Sequence, residues 1–537
     1  MTKPLRIACA AALAIALSAG AATSAQAARY IIEFAADKRP ALVNLIRSNG
    51  GAVVREFQLV DGLVADLSDA QARLVRRSGL ATVVSVDGVR QLHAHLWDPS
   101  TEIMGYGVAR VRASDLWSTD PANQVPDVAP GTIAGQGVVV GVIDTGVDFG
   151  HPDLAANLID VRGSGVVRDF LFDDDDPSDD EAGEVQGHGT STSATIAAVD
   201  NGIGAIGVAP LVKIMPYRVC FPDRARACPT SAIIAALEQA VLDRVDVINL
   251  SLGGPAGHNL EASLIQRANQ NGIVVVASAG NESSQKPSFP AAYDTVIAVG
   301  ATDDQDRLAT FSNFGGWVDV VAPGVDIPAA TVRGVGRDAT LSESSPTART
   351  LSPNPMTGSA VASVTADVAF VGLGTTADVA TACAGGACTG KVALISRGAI
   401  TFAEKVTNAE AAGAVGTIVF NNRPGNFNGT LGTVLASGPS VSISDTEGAA
   451  LLADVNAGTT NITLTVVATD YELASGTSFS GPHVAGVAAL VLSANPSLSN
   501  SAVRTIIEHT AKPIGPQVIF GRGLVDAEAA VSAASGN

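Results

Sequence analysis

The segment "ELASGTSFSGPHVAG" (472–486) places a serine, Ser478, five residues ahead of a histidine, His483. A serine hydroxyl becomes a nucleophile when a base takes its proton, and histidine is the side chain suited to that near neutral pH. This pair is badly placed for it. On a helix, an offset of five residues turns about 500°, roughly 140° around the axis, so the two side chains point to different sides. His483 therefore reads as structural, and the base must come from elsewhere. His93 and His95 precede the main run of apolar strands, His258 lies in a loop, His509 in a C-terminal helix, and His151 after an Asp-containing loop. His188 stands in "GHGTSTSA", at the start of a helix of very small residues, with flanking glycines that let other backbone approach the imidazole. In "VVVGVIDTGVD", Asp144 closes a buried apolar strand, where a carboxylate is costly unless hydrogen-bonded. Singly, these are a turn aspartate, a turn histidine and a helix-cap serine. Together, in the order Asp, His, Ser, they supply a nucleophile, its base and a carboxylate to orient the base, which is the chemistry of acyl transfer.

Groups so far apart in sequence need a scaffold whose strand and helix ends converge. From about residue 137, short apolar runs end in polar loops: "GVVVGVIDTG", "VDVINLSLGG", "GIVVVASAGN", "DTVIAVGATD" and "WVDVVAPG". Helical segments such as "TSTSATIAAV" and "TSAIIAALEQAVLD" alternate with them. Near-continuous Val/Ile runs separated by helices predict an α/β fold with a parallel sheet covered on both faces. Sites in such sheets gather at the carboxyl ends of the strands, and Asp144, Ser251 and Asn281 all follow apolar runs. Residues from roughly 335 to 468 interrupt the texture. They open Ser/Thr/Pro-rich ("TLSESSPTARTLSPNP") and continue with "GKVALISRG", "TFAEKVTNAEAAGA", "GTIVFNN" and "SVSISDTEGAALLADV", which read as a separate inserted domain. The main domain resumes near Tyr471. Upstream, residues 29–92 read as βαββαβ, the ferredoxin-like α+β order, followed by the linker-like "HAHLWDPSTEIMGYG".

Apolar residues make up 47% of the 537 and charged residues 16%, enough for large cores in two to four domains. The net charge of −19 excludes nucleic acid as an expected partner. Residues 1–95 run against that trend, with eleven Lys and Arg against seven Asp and Glu. At the N-terminus, Lys3 and Arg6 precede the apolar "IACAALAIALSAGAA" and then "AQA" at 25–27, the form of a secretory signal cleaved after Ala27. Cleavage removes Cys9 and leaves no expected membrane span. Cys220/Cys228 and Cys383/Cys388 form two close pairs, read as local disulfides in an exported chain; the alternatives are buried thiols or a metal site, and no further ligand lies at zinc spacing.

With these motifs in view, the sequence resembles the subtilisin-like serine proteases. The matching stretches are "VIDTGVD", "GHGTSTSA", "SLGG", "ASAGN" and "GTSFSGPHVAG", spanning about 137–535 outside the insert. The order Asp, His, Ser is that of subtilisin, and the α/β-hydrolase elbow G-x-S-x-G is absent because position 480 is Ser. The resemblance implies a signal peptide (1–27), an inhibitor-type propeptide (28–95), a catalytic domain (96–334 and 469–537) and an inserted protease-associated (PA) domain (335–468). It implies Ser478 as nucleophile, His188 as base, Asp144 as its orienting carboxylate, and Asn281 with the Ser478 N–H as oxyanion hole. Ser251, Leu252, Gly253 and Gly254 would offer an edge to substrate backbone. Ser288 would lie near the base of the pocket for the residue before the cut bond, an uncharged pocket expected to prefer apolar side chains. The substrates would be proteins or peptides, with the chain's own propeptide an intramolecular inhibitor removed by self-cleavage near "RQLHAHLW".

The chain also departs from that pattern. Phe479-Ser480 follows the serine where the family commonly has Met-Ala, so no sulfoxide forms there. No cofactor is required. Calcium suits the oxygen ligands of the acidic loop "DDDDPSDDEAGE" (173–184), and a solvated loop is the preferred reading. The insert is read either as governing substrate access or as a stabilising appendage. Two other functions are open to such a chain, a binding module and an exopeptidase. A dead relative serving as a binding module would usually have lost one of the four site residues, and an exopeptidase would need its cleft blocked.

Overall fold

The computed structural model describes residues 28–56, 62–86, 102–118, 127–179, 187–221, 228–423, 425–427, 429–432 and 434–536. The expected signal segment, the expected self-cleavage region and residues 180–184 of the acidic loop lie outside these. The chain divides into two units, residues 1–90 and 91–537.

In the first unit, β1 (Ala28–Glu33), β2 (Ala52–Glu56), β3 (Gly62–Leu67) and β4 (Val83–Val86) form a sheet in the order β2-β3-β1-β4. All its pairings are antiparallel. Helices Arg39–Ser48 and Asp69–Arg77 complete a βαββαβ chain. Alternate residues Tyr30, Ile32 and Phe34 meet Leu42 and Ile46 in the core, as the two-residue period of a half-buried strand requires. Ser68 and Gln71 cap the second helix reciprocally.

In the second unit, β5 (Val139–Asp144), β6 (Lys213–Arg218), β7 (Val247–Leu250), β8 (Val274–Ser278), β9 (Val296–Thr302) and β10 (Val320–Pro323) form a sheet ordered β10-β9-β8-β7-β5-β6. Every pairing is parallel. Alternate residues serve opposite faces. Val247, Val274 and Val276 join a core with the helices Thr477–Ala494, Asn500–Thr510 and Ala527–Ser535. Ile248, Val275 and Ala277 join another with the helices Thr230–Asp243 and Asn259–Gln270. The Val/Ile runs had foretold five of the six strands. The sixth, β6 ("KIMPYR"), contains Pro216 and begins at an exposed Lys213. It is an edge strand. The N–H groups of its neighbours Ile214 and Arg218 point outward, to the Asn157 and Arg168 carbonyls, so Pro216 leaves its missing donor on the outer side.

The inserted domain stands on a two-stranded stem, β11 (Ile327–Ala330) against β20 (Tyr471–Ala474). Between them lie β12 (Gly336–Ser345), β13 (Arg349–Leu351), β14 (Asn354–Pro355), β15 (Ala362–Phe370), β16 (Val392–Ser396), β17 (Gly416–Phe420), β18 (Ser440–Ile443) and β19 (Asn461–Thr469). They form one mixed sheet, β13-β12-β19-β15-β16-β17-β18-β14. Its three helices each begin with a reciprocal cap: Thr375 with Asp378, Thr401 with Glu404, and Ser444 with Glu447. The Ser/Thr-rich opening is largely strand. β12 turns Ala339, Leu341 and Glu343 inward and its serines outward.

Candidate active site

Asp144 is the last residue of β5 and is 2% exposed. Its Oδ1 accepts the Thr145 N–H and the His188 Nδ1–H, both at 2.7 Å. That fixes the imidazole with Nε2 as the free nitrogen. His188 opens the helix His188–Ala197, and its side chain remains 26% exposed. Its glycines are required. Gly187 has φ +84°, and a Cβ at Gly189 would fall 2.2 Å from the Gly146 carbonyl. Burial alone would push the imidazole down, but the Asp144 carboxylate, helped by Glu472 and Asp179, outweighs it and holds His188 above its ordinary value. Behind this pair, Asp179 accepts the hydroxyls of Thr145 and Thr190. Burial pushes Asp179 up to about 6.

Ser478 is the second residue of the 18-residue helix Thr477–Ala494, where the helix end favours negative charge. His188 reaches the start of that helix: its ring packs edge-on against Phe479, centroids 5.9 Å apart. Pro482 lies inside the helix and has no N–H for the Ser478 carbonyl four residues back. The Ser251 hydroxyl fills that place at 2.8 Å, and the Ser478 hydroxyl donates to the Ser251 carbonyl at 3.2 Å. A proline and a serine thus lock the Ser478 residue to the end of β7. Asn281 follows β8. Its Oδ1 accepts both the N–H and the hydroxyl of Thr477, each at 2.9 Å. Its Nδ2 and the Ser478 backbone nitrogen lie 3.5 and 3.6 Å from where a Cβ on Gly476 would be.

Residues 251–254 leave β7 as an extended segment. Gly254 exchanges both backbone hydrogen bonds with Phe289, at 2.8 Å each. By alternation, Gly253 turns its own N–H and carbonyl to the open side. Ser288 is 7% exposed, and its hydroxyl lies 3.5 Å from the Gly254 carbonyl. A Cβ on Gly253 would sit 2.8 Å from that hydroxyl. The structure therefore brings Asp144 together with His188, Ser478 with Ser251 and Asn281, and Ser288 with Gly253 and Gly254. His483 stays apart. It is 1% exposed, and its Nδ1–H donates to the Phe479 carbonyl of its own helix at 2.8 Å. Burial pushes it down to about 4.

The subtilase family (peptidase S8) matches residues 135–371 and 411–523, most of the chain. The chain belongs to the subtilase family. It is a subtilisin-like serine peptidase with a PA domain inserted in the protease domain; the PA match itself covers residues 356–451. It is 33% identical to subtilisin E of Bacillus subtilis over 288 residues, 53% of this chain and 67% of that one. It is 43% identical to the thermophilic serine proteinase of Bacillus sp. strain AK1 over 209 residues, 38% and 49% of the two chains. The crystal structure of the psychrophilic subtilisin-like protease Apa1 from Pseudoalteromonas sp. AS-11 covers 80% of this chain and 98% of its own, at 28% identity and a TM-score of 0.54.

In this subtilase, Cys220 bonds to Cys228 and Cys383 to Cys388. Among the described residues, no group of three or more His, Cys, Asp or Glu side chains could hold a metal. In the described part of the acidic loop, Asp174 accepts the Asp176 N–H, Asp176 the Ser178 hydroxyl, and Asp175 the Gly165 N–H. Sequence reasoning missed Thr477, which holds Asn281, and the Thr145–Asp179–Thr190 group behind the histidine. Thr145, Thr190 and Thr477 are marked in the sequence only by standing within a motif, while Asp179 belongs to the acidic loop read there as solvated. No described helix is long and apolar enough to cross a membrane.

Proposed function

We propose that this subtilase is a secreted endopeptidase that cuts proteins through a covalent acyl-enzyme. The observation that carries the proposal is the Asp144–His188 pair, 2.7 Å apart and with Nε2 free, set against the first turn of the helix that carries Ser478. Substrate backbone adds as a strand along Gly253, with the side chain before the cut bond entering beside Ser288. Ser478 Oγ attacks the carbonyl carbon while its proton passes to His188 Nε2. The oxygen that gains charge is met by the Asn281 Nδ2–H and the Ser478 N–H. His188 then gives the proton to the leaving amine, and the C–N bond breaks. Water, deprotonated by the same imidazole, hydrolyses the ester and restores Ser478. Asp144 keeps its position throughout and stabilises the imidazolium. The chemistry calls for no cofactor, and the acidic chain has no electrostatic reason to bind nucleic acid.

Residues 28–95 act as a propeptide that inhibits the site until self-cleavage. The N-terminal segment directs export, to the medium, the periplasm or the cell surface. The test is casein cleavage by the exported protein, with and without a serine-directed covalent inhibitor. Inhibitable proteolysis, absent from Ser478→Ala, supports the proposal. Its absence shifts the reading to a binding module.

A further inference from the structure

Glu472 lies on β20, the strand that carries the chain from the inserted domain back to the Ser478 helix, opposite Ala329 of β11. It is half-buried, and nothing in the hydrolysis above uses it. Its Oε1 accepts the Ser191 hydroxyl at 2.6 Å, a length typical of a hydroxyl on an ionised carboxylate. Ser191 is three residues beyond His188 on the same helix, so the two are neighbours on one face. The Ser191 oxygen is also 2.9 Å from the Gly187 carbonyl, but that carbonyl already accepts the Ser191 N–H at 2.8 Å. Of the two acceptors within reach of the hydroxyl, Glu472 is the nearer, at 2.6 Å against 2.9 Å. The charged groups that face His188 are Asp144 at the end of β5, Asp179 from the preceding loop, and Glu472. Those that face Glu472 are His188 and Asp179. Asp179 is held by two threonine hydroxyls of the catalytic motifs themselves. Glu472 alone comes from the stem of the insert.

We propose that Glu472 is a positioning residue for His188, holding the first turn of its helix through Ser191 and adding negative charge that favours the imidazolium. The inference rests on His188 being the base. Burial pushes the Glu472 carboxyl up, while Ser191 and His188 pull it back. Protonation of Glu472 at acid pH therefore withdraws that support from His188.

The test is kcat and KM against pH on a short chromogenic peptide, for the full-length precursor's mature product and for Glu472→Gln. The amide keeps the shape and a hydrogen bond but loses the charge. The carboxylate is half-buried and partly screened by water, so its charge is worth about a factor of two to five. The expected result is that fall in kcat, an unchanged KM, and an acid limb moved to lower pH, with Glu472→Asp restoring the limb. An unmoved limb with unchanged kcat overturns the inference, even if thermal stability drops, because a purely structural role predicts that outcome. If Glu472→Gln does not fold, Glu472→Asp decides alone. It keeps the charge but shortens the reach to Ser191, so the limb should stay while kcat falls; unchanged kcat overturns the inference. Absence of inhibitable hydrolysis in the unmodified enzyme is a different result, and sinks the protease reading itself.

Discussion

A methyl group on Gly107 would strike His483. The helix Tyr106–Arg110 passes so close that a Cβ there lies 2.2 Å from Nε2 and 2.9 Å from Cε1 of the buried ring. In an open helical site Gly→Ala gains about 1 kcal/mol. Here ordinary contact requires the ring to retreat by more than about 1 Å, and overpacking of that kind costs about 1–3 kcal/mol. The ring has little freedom, because its Nδ1–H is bound to the carbonyl of Phe479, the residue after Ser478. A displacement of about 1 Å passed to that turn costs up to ~100-fold in turnover. Gly107→Ala should therefore lower the melting temperature by a few degrees and kcat far more than KM. His483→Ala should destabilise yet keep activity within about tenfold, whereas His188→Ala abolishes it. The double variant decides the matter: with the ring gone the methyl has room, so the two effects should couple favourably by about 1–3 kcal/mol. Calorimetry and peptide kinetics on the four proteins measure this. Additive losses in the double variant would refute the packing argument, and loss of activity in His483→Ala as complete as in His188→Ala would refute the assignment of the base.

Further predictions concern pH, the oxyanion and oxidation. His483, pushed down to about 4 by burial, is neutral when folded but protonates in the unfolded chain, so its contribution is present above about pH 6.5 and lost as pH falls towards 4, up to about 3 kcal/mol. Asp179, pushed up to about 6, acts in the opposite sense over the same window, so the readout is stability of His483→Gln minus wild type, which should rise on acidification; a flat difference would contradict the burial argument. Asn281→Asp keeps an acceptor for Thr477 but removes the Nδ2 donor, and kcat should fall ~10²–10³-fold with KM little changed, a magnitude taken from subtilisin's own asparagine and not worked from this structure. With Phe479 beside the nucleophile, mild peroxide should leave most activity intact; rapid inactivation would show a sensitive group elsewhere in the site.

Much of this was legible in the sequence because burial on both faces of a parallel sheet leaves continuous Val/Ile runs, and β5 and β7 to β10 carry them. β6 was hidden by its proline, which only an edge strand tolerates. β12, β15 and β19 were hidden by hydroxyls. Their apolar residues do alternate, but Ser363 pairs with Thr465 and Thr365 with Thr463 across the exposed face, giving a composition that reads as loop. At the site, His188 and Asp144 each read alone as turn residues, and became legible only through their order with Ser478 and the motifs around them. Ser191, Thr477 and Glu472 did not stand out even so, since a hydroxyl or carboxylate near a helix start looks like a cap until the partner 196 or 281 residues away is seen. The Pro482–Ser251 exchange was equally invisible: the proline announces a free carbonyl, but not what fills it.

The central claim is that Ser478 is the nucleophile and His188 its base. The direct measurement is to react the active enzyme with a serine-directed phosphonylating inhibitor and to map the adduct by mass spectrometry while following proteolysis. One adduct per molecule, on Ser478, formed in step with loss of activity and far more slowly in His188→Ala, is the expected result. An adduct elsewhere, or proteolysis that survives complete modification of Ser478, would contradict it.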